Sequence, residues 1–144
     1  MQTSGTIIRR PASKADIERF AEMTDTPLWP TAKAWVGELD GEIVALGGFA
    51  LVQGRWIGFV DVTKRGRKLL EDNMYVRAQF MRAMIMGLRE MKTAGARFVY
   101  VEADTDQRQA EEVIRKLGFE PDPRSPRTSS GRPVYRLRPE EWQE

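Results

Sequence analysis

The chain has 144 residues, with 23 Lys and Arg against 21 Asp and Glu, so its formal net charge is only +2. It contains no cysteine and no histidine. That excludes disulfides, thiolate and imidazole metal sites and cysteine nucleophiles, and leaves Asp, Glu, Lys, Tyr, a terminus or water for any proton transfer.

The length fits a single domain over 1–144, and the 41% hydrophobic, 31% charged composition is that of a globular protein. No apolar stretch approaches the ~20 residues that span a bilayer. The opening residues Met1 to Gly5 carry no apolar signal region, so a cytoplasmic setting, bacterial or phage-encoded, is expected.

Thr6-Ile7-Ile8-Arg9 reads as a short strand ended by Pro11. Ser13 offers an N-cap hydroxyl, Asp16 faces the helix dipole, and Ile17, Phe20 and Ala21 recur at helical spacing, which predicts a helix over 14–23. The segment Thr26 to Pro30, including Trp29, is irregular because each proline restricts itself and its predecessor. Three strands follow, over 34–39, 42–52 and 55–62, joined by turns at Asp40-Gly41 and Gln53-Gly54. Such short loops predict an antiparallel meander.

Lys64-Arg65-Gly66-Arg67-Lys68 is the densest basic cluster and reads as a loop, either solvated or gripping a phosphate. The run 71–94 reads as one long helix, with Met74, Ala78, Met81, Ile85 and Leu88 on its apolar face and Phe80, Met84 and Met91 widening it. Gly95 ends it in the left-handed conformation. Arg97 to Val101 reads as a strand, and the run Phe98-Val99-Tyr100-Val101 suggests burial on both faces. Thr105 or Asp106 caps a further helix bearing Ala110, Val113, Ile114 and Leu117 on one face, with Glu111–Arg115 and Glu112–Lys116 as i,i+4 pairs. A strand starts at Phe119. Arg124, Arg127 and Arg132 stand in an irregular stretch, and a last strand covers 133–138.

Two segments carry a resemblance. One is Ile8-Arg9-Arg10-Pro11-Ala12 with Asp16-Ile17. The other is Gln107-Arg108-Gln109-Ala110 through Lys116-Leu117-Gly118-Phe119. With the order β-α-β-β-β-α-β-α-β-β, they make the chain resemble the GNAT superfamily of N-acetyltransferases over nearly its whole length. The resemblance implies an α/β fold with a mixed, mostly antiparallel sheet and helices on both faces. It also implies that the two central parallel strands, 55–62 and 97–102, splay apart to admit acetyl-CoA.

On that resemblance the cofactor would meet Val60, Val62, Tyr75, Arg77, Ala78 and Gln107. A carboxylate would deprotonate an amine acceptor, with Asp61 the first candidate and Glu102 and Asp104 the next. Two departures stand out. The family's pyrophosphate motif, Q/R-x-x-G-x-G/A, corresponds to Tyr75-Val76-Arg77-Ala78-Gln79-Phe80, with Ala78 and Phe80 in place of the glycines that let phosphates approach the backbone. The phenyl ring of Phe80 is expected to occupy that space. The family's frequent catalytic tyrosine corresponds to Ile114. Two functions stay open: an acetyl-CoA-dependent N-acetyltransferase acting on an unidentified amine, or a degenerate GNAT-like domain of the phage-associated kind, used for binding or assembly. A protein partner is compatible with the second, and nucleic acid is not expected at this net charge.

Overall fold

The computed structural model describes residues 6–24, 32–103, 110–124, 127–129 and 131–142. The chain enters through β1 (Ile8–Pro11) and α1 (Lys14–Thr24), and the turn between them is tied by charge. The Ser13 amide donates to Asp16 Oδ2 at 2.8 Å and the Asp16 amide to Ser13 Oγ at 3.1 Å, a reciprocal capping box. Arg10 binds the same carboxylate at 2.7 Å and Glu38 at 2.6 Å. The Arg10 guanidinium, then the Ser13 amide, hold the Asp16 carboxyl well below the usual carboxylate range.

The meander follows as β2 (Ala32–Leu39), β3 (Glu42–Val52) and β4 (Arg55–Val62). Its turns have φ of 52° and 80° at Asp40 and Gly41, and 51° and 76° at Gln53 and Gly54. Two successive positive φ angles are what a two-residue hairpin needs to match strand twist. Next come α2 (Lys64–Asp72), α3 (Met74–Thr93), β5 (Val99–Glu102), α4 (Ala110–Lys116), β6 (Glu120–Pro121) and β7 (Val134–Leu137), with a 3-10 turn at Pro139–Glu141. The seven strands run in the order β1-β2-β3-β4-β5-β7-β6, and every pairing is antiparallel except β4–β5. This is the α/β architecture expected, a mostly antiparallel sheet with helices on both faces.

Three apolar clusters hold it. On one face, Leu88 and Met91 of α3 and Leu117 after α4 pack with Phe49, Val99, Tyr135, Leu137 and Trp142. On the other, Phe20 of α1 is fully buried against Val36, Ile43 and Leu46, with Phe59 beside it. The third joins Ala45, Val76 and Phe80 to Val62, Leu69 and Leu70. Among the described residues no helix is long and apolar enough to cross a membrane.

Four expectations are corrected. The basic cluster is helical, since Lys64 opens α2 and Thr63 Oγ1 caps it by accepting from the Gly66 amide at 3.1 Å. The run 71–94 is therefore two helices, broken at Asn73, whose φ of −129° and ψ of 106° are extended. The apolar face keeps Phe80, Leu88 and Met91 as expected and is corrected at its first turn. Met74 is 76% exposed and Ala78 is exposed, while Val76, Phe80, Gly87, Leu88 and Met91 are buried. Finally, β5 starts at Val99 and is not buried on both faces; Phe98 and Tyr100 are only half-buried and meet arginines. The segment 26–30 with Trp29, and the caps Thr105 and Asp106, lie outside the described residues.

Candidate functional site at the split between β4 and β5

The parallel ladder between β4 and β5 has only two partner pairs, Trp56↔Val99 and Ile57↔Tyr100. Both strands run on, β4 to Val62 along β3 and β5 to Glu102 along β7, so beyond Ile57 and Tyr100 they diverge. Gly58 is the first residue past the last pair. A Cβ there would lie 3.1 Å from Val101 Cγ1 and 3.4 Å from the Phe49 ring, so a larger residue would crowd the core beneath the split.

Strand alternation sorts the side chains of the split. Trp56 and Val62 belong to the face covered by α2, α3 and α4, and Val60 lies between them at 43% exposure. Phe59 belongs to the α1 face, and Asp61, half-buried, follows it two residues later. Exposed Glu102 follows Tyr100, the neighbour of Ile57, on that same face. The structure thus brings Asp61 and Glu102 to one face, at the ends of the two diverging strands. Asp104 and Gln107 lie outside the described residues.

The start of α3 is where the resemblance places a pyrophosphate, because the free amides and dipole of a helix N-terminus attract anions. Here two of those amides already have an acceptor. Asn73 Oδ1 accepts from the Tyr75 amide at 3.0 Å and from the Val76 amide at 3.2 Å. Arg77 is engaged with α2: its Nη1 donates to the carbonyls of Leu70 at 3.0 Å and Glu71 at 2.9 Å, closing the C-terminus of α2. Tyr75 and Ala78 are exposed. Phe80 does not occupy phosphate space as expected; its ring is in the core with Ala45 and Val76.

In α2, Arg65 pairs with Glu42. Buried Gly66 lies so close to the Val44 carbonyl that a Cβ would collide with it. On α4, Ile114 packs into the main core. The expected Glu111–Arg115 pair is mediated by a residue that sequence reasoning missed. Tyr135 of β7 donates its hydroxyl to Glu111 Oε1 at 2.9 Å and accepts from Arg115 Nη2 at 3.3 Å. That bond raises the Arg115 pKa above its ordinary value. Glu112 and Lys116 pair directly at 3.2 Å.

Acetyl-CoA therefore meets a mixed fit. The strands diverge beyond the two-pair ladder, but the α3 start fits a pyrophosphate poorly, because two of its amides and its arginine are engaged within the protein. Asn73, the residue that closes it, escaped the sequence reading; an Asn inside an otherwise unbroken helical pattern was the available signal. Among the described residues no cluster of three acidic groups could hold a metal.

No protein-family model and no curated protein matches this sequence. Solved structures do. YncA from Salmonella typhimurium, solved with its cofactor acetyl-CoA, is 13% identical, with a TM-score of 0.68 over 96% of this chain and 97% of its own. An N-acetyltransferase from Staphylococcus aureus Mu50 is 14% identical, with a TM-score of 0.68 over 94% of this chain and 99% of its own. The ribosomal-protein-S18-alanine N-acetyltransferase from Escherichia coli is 13% identical, with a TM-score of 0.64 over 96% and 97%. At these identities the likeness establishes the architecture alone: this chain has the fold of the GNAT N-acetyltransferases.

Proposed function

We propose that this chain is a GNAT-fold protein that works by binding a protein partner rather than by acetyl transfer. The observation that carries this reading is the closed start of α3. Two amides that could hold a phosphate donate instead to Asn73, and Arg77 is engaged with α2. Displacing these partners would leave two carbonyls of α2 without their arginine, a cost that phosphate binding would have to offset.

The test is a thermal melt with acetyl-CoA. Saturation at 100 times a dissociation constant would add roughly 2.7 kcal/mol of stability. For a domain of this size that is a rise in Tm on the order of 10 °C. The expected result is no saturable rise at millimolar ligand, and a large one would overturn the reading.

A second reading, N-acetylation of an unidentified amine, is favoured by one arrangement. Asp61 and Glu102 stand on one face at the ends of the split strands, where either carboxylate could take the proton of an amine acceptor.

A further inference from the structure

The α1 face of the sheet changes character at the closed end of the β4–β5 seam. Over β2 and β3 it is covered by α1. That cover reaches Phe59 of β4; over the start of β4 and over β5 and β7 no helix packs on this face among the described residues, and two aromatic rings stand there instead. Phe98 and Tyr100 lie with centroids 6.1 Å apart. Guanidinium groups gather on them: Arg136 and Arg138 each lie 4.9 Å from the Phe98 centroid and Arg97 lies 5.8 Å from it, while Arg55 lies 5.1 Å from Tyr100.

Three cations around one ring repel each other, and the ring's quadrupole offsets only part of that. The carboxylates of this face do little more. Glu141 pairs with Arg138 at 3.2 Å. Glu120 is the partner of Arg136 in the β6–β7 register and Glu102 ends β5, but among the described residues neither forms an ion pair with Arg55, Arg97 or Arg136. Exposed Glu140 lines the same surface hollow as Arg97, again without an ion pair to it among the described residues, so Arg55, Arg97 and Arg136 stand near carboxylates but are paired with none.

We infer that this face docks an acidic segment of a partner protein. Its composition, dominated by arginine and aromatic residues, is that of interface centres. Each guanidinium presents a planar fork that matches a carboxylate in two places, and the rings beneath supply apolar contact between them. A nucleic-acid strand fits less well. The patch spans three strands, about 10 Å across at ~4.8 Å per strand, whereas nonspecific single-strand sites track a backbone of at least about four nucleotides. This inference extends the binding reading by naming the partner's chemistry, and it is measured without any CoA compound. Its failure is therefore distinct from a failure of that reading.

The experiment is a fluorescence-anisotropy titration of the full chain with three labelled probes. These are a peptide of alternating Glu and Leu, a peptide of alternating Lys and Leu, and an oligothymidine of matched length. The acidic peptide is expected to bind saturably and to weaken as salt is raised. The double variant R55Q/R136Q should bind it about tenfold more weakly or worse. R67Q, on exposed α2 away from this face, should bind as wild type does. Both sets of substitutions are at side chains with solvent access, and unchanged melting curves would confirm that they fold. No saturable binding of the acidic peptide, equal affinity in R55Q/R136Q, or tighter binding of oligothymidine would each overturn the inference.

Discussion

The two ends of the β4–β5 seam have been treated in opposite ways. At the open end, groups that could meet a ligand are satisfied internally: Asn73 takes two α3 amides and Arg77 takes two α2 carbonyls. At the closed end, Arg55, Arg97 and Arg136 lie on aromatic rings with no ion pair among the described residues. A shared backbone architecture therefore does not carry its usual site along with it. Where a chain leaves polar groups unsatisfied is a better guide to binding than where its relatives bind.

Both ends hang on one scaffold, and breaking it is the largest effect expected. Leu88 is 3% exposed, in the cluster that joins α3 to β5 and β7. Leu88→Ala should cost about 2–5 kcal/mol in chemical denaturation. Ile85→Ala, at a half-buried site beside that cluster, should cost less. The reverse order would mean that α3 is seated on the sheet by a different face.

That ordering is itself a lesson in what the sequence made legible. Asp40-Gly41 and Gln53-Gly54 announce the meander because few residues accept two positive φ angles in succession. Phe20, buried as expected, follows from helical spacing after a clear Ser13 cap. The break at Asn73 does not follow from local pattern. Residues 64–93 are helix-compatible nearly throughout, and the division depends on Arg77 folding back onto α2 and on Gly66 fitting against Val44. Once the break is missed, the first turn of α3 is misread: Met74 and Ala78 are taken as core and Val76 is passed over, whereas Phe80, Leu88 and Met91 are buried as expected. The candidate site is split in the same way. Asp61 and Glu102 could be found as strand-end carboxylates, whereas the divergence of β4 and β5 came from the family resemblance. The arginine face was visible only as a two-residue period, Phe98 with Tyr100 and Arg136 with Arg138, which becomes a cluster when β5 and β7 pair.

A substitution at Asn73 sharpens the contrast by opening the end that is closed. Asn73→Ala removes the acceptor of two amides and should cost about 1 kcal/mol, as lost N-caps do. It also exposes those amides beside the positive end of the α3 dipole. Inorganic pyrophosphate should therefore raise the Tm of the variant by more than it raises that of wild type. Equal responses in the two proteins would show that Asn73 is not what keeps phosphate out.

The smallest effect is expected at the other end, and its sign carries the information. Arg136→Gln removes one of three guanidinium groups around Phe98. The lost cation–π contact costs roughly 0.5–1 kcal/mol at a partly exposed site. Against that, Arg97 and Arg138 each lose a like-charged neighbour, a gain of similar size for surface charges a few ångströms apart. The net change should fall within about 0.5 kcal/mol of zero, as for substitutions that break no buried contact. Salt separates the two contributions, because added salt screens the repulsion in wild type and has less to screen in the variant. Wild type should therefore gain more stability than Arg136→Gln between low and moderate salt. If Arg136→Gln were instead strongly destabilised at every salt concentration, Arg136 would be a structural clamp on the rings, and the face would have no excess charge to offer a partner.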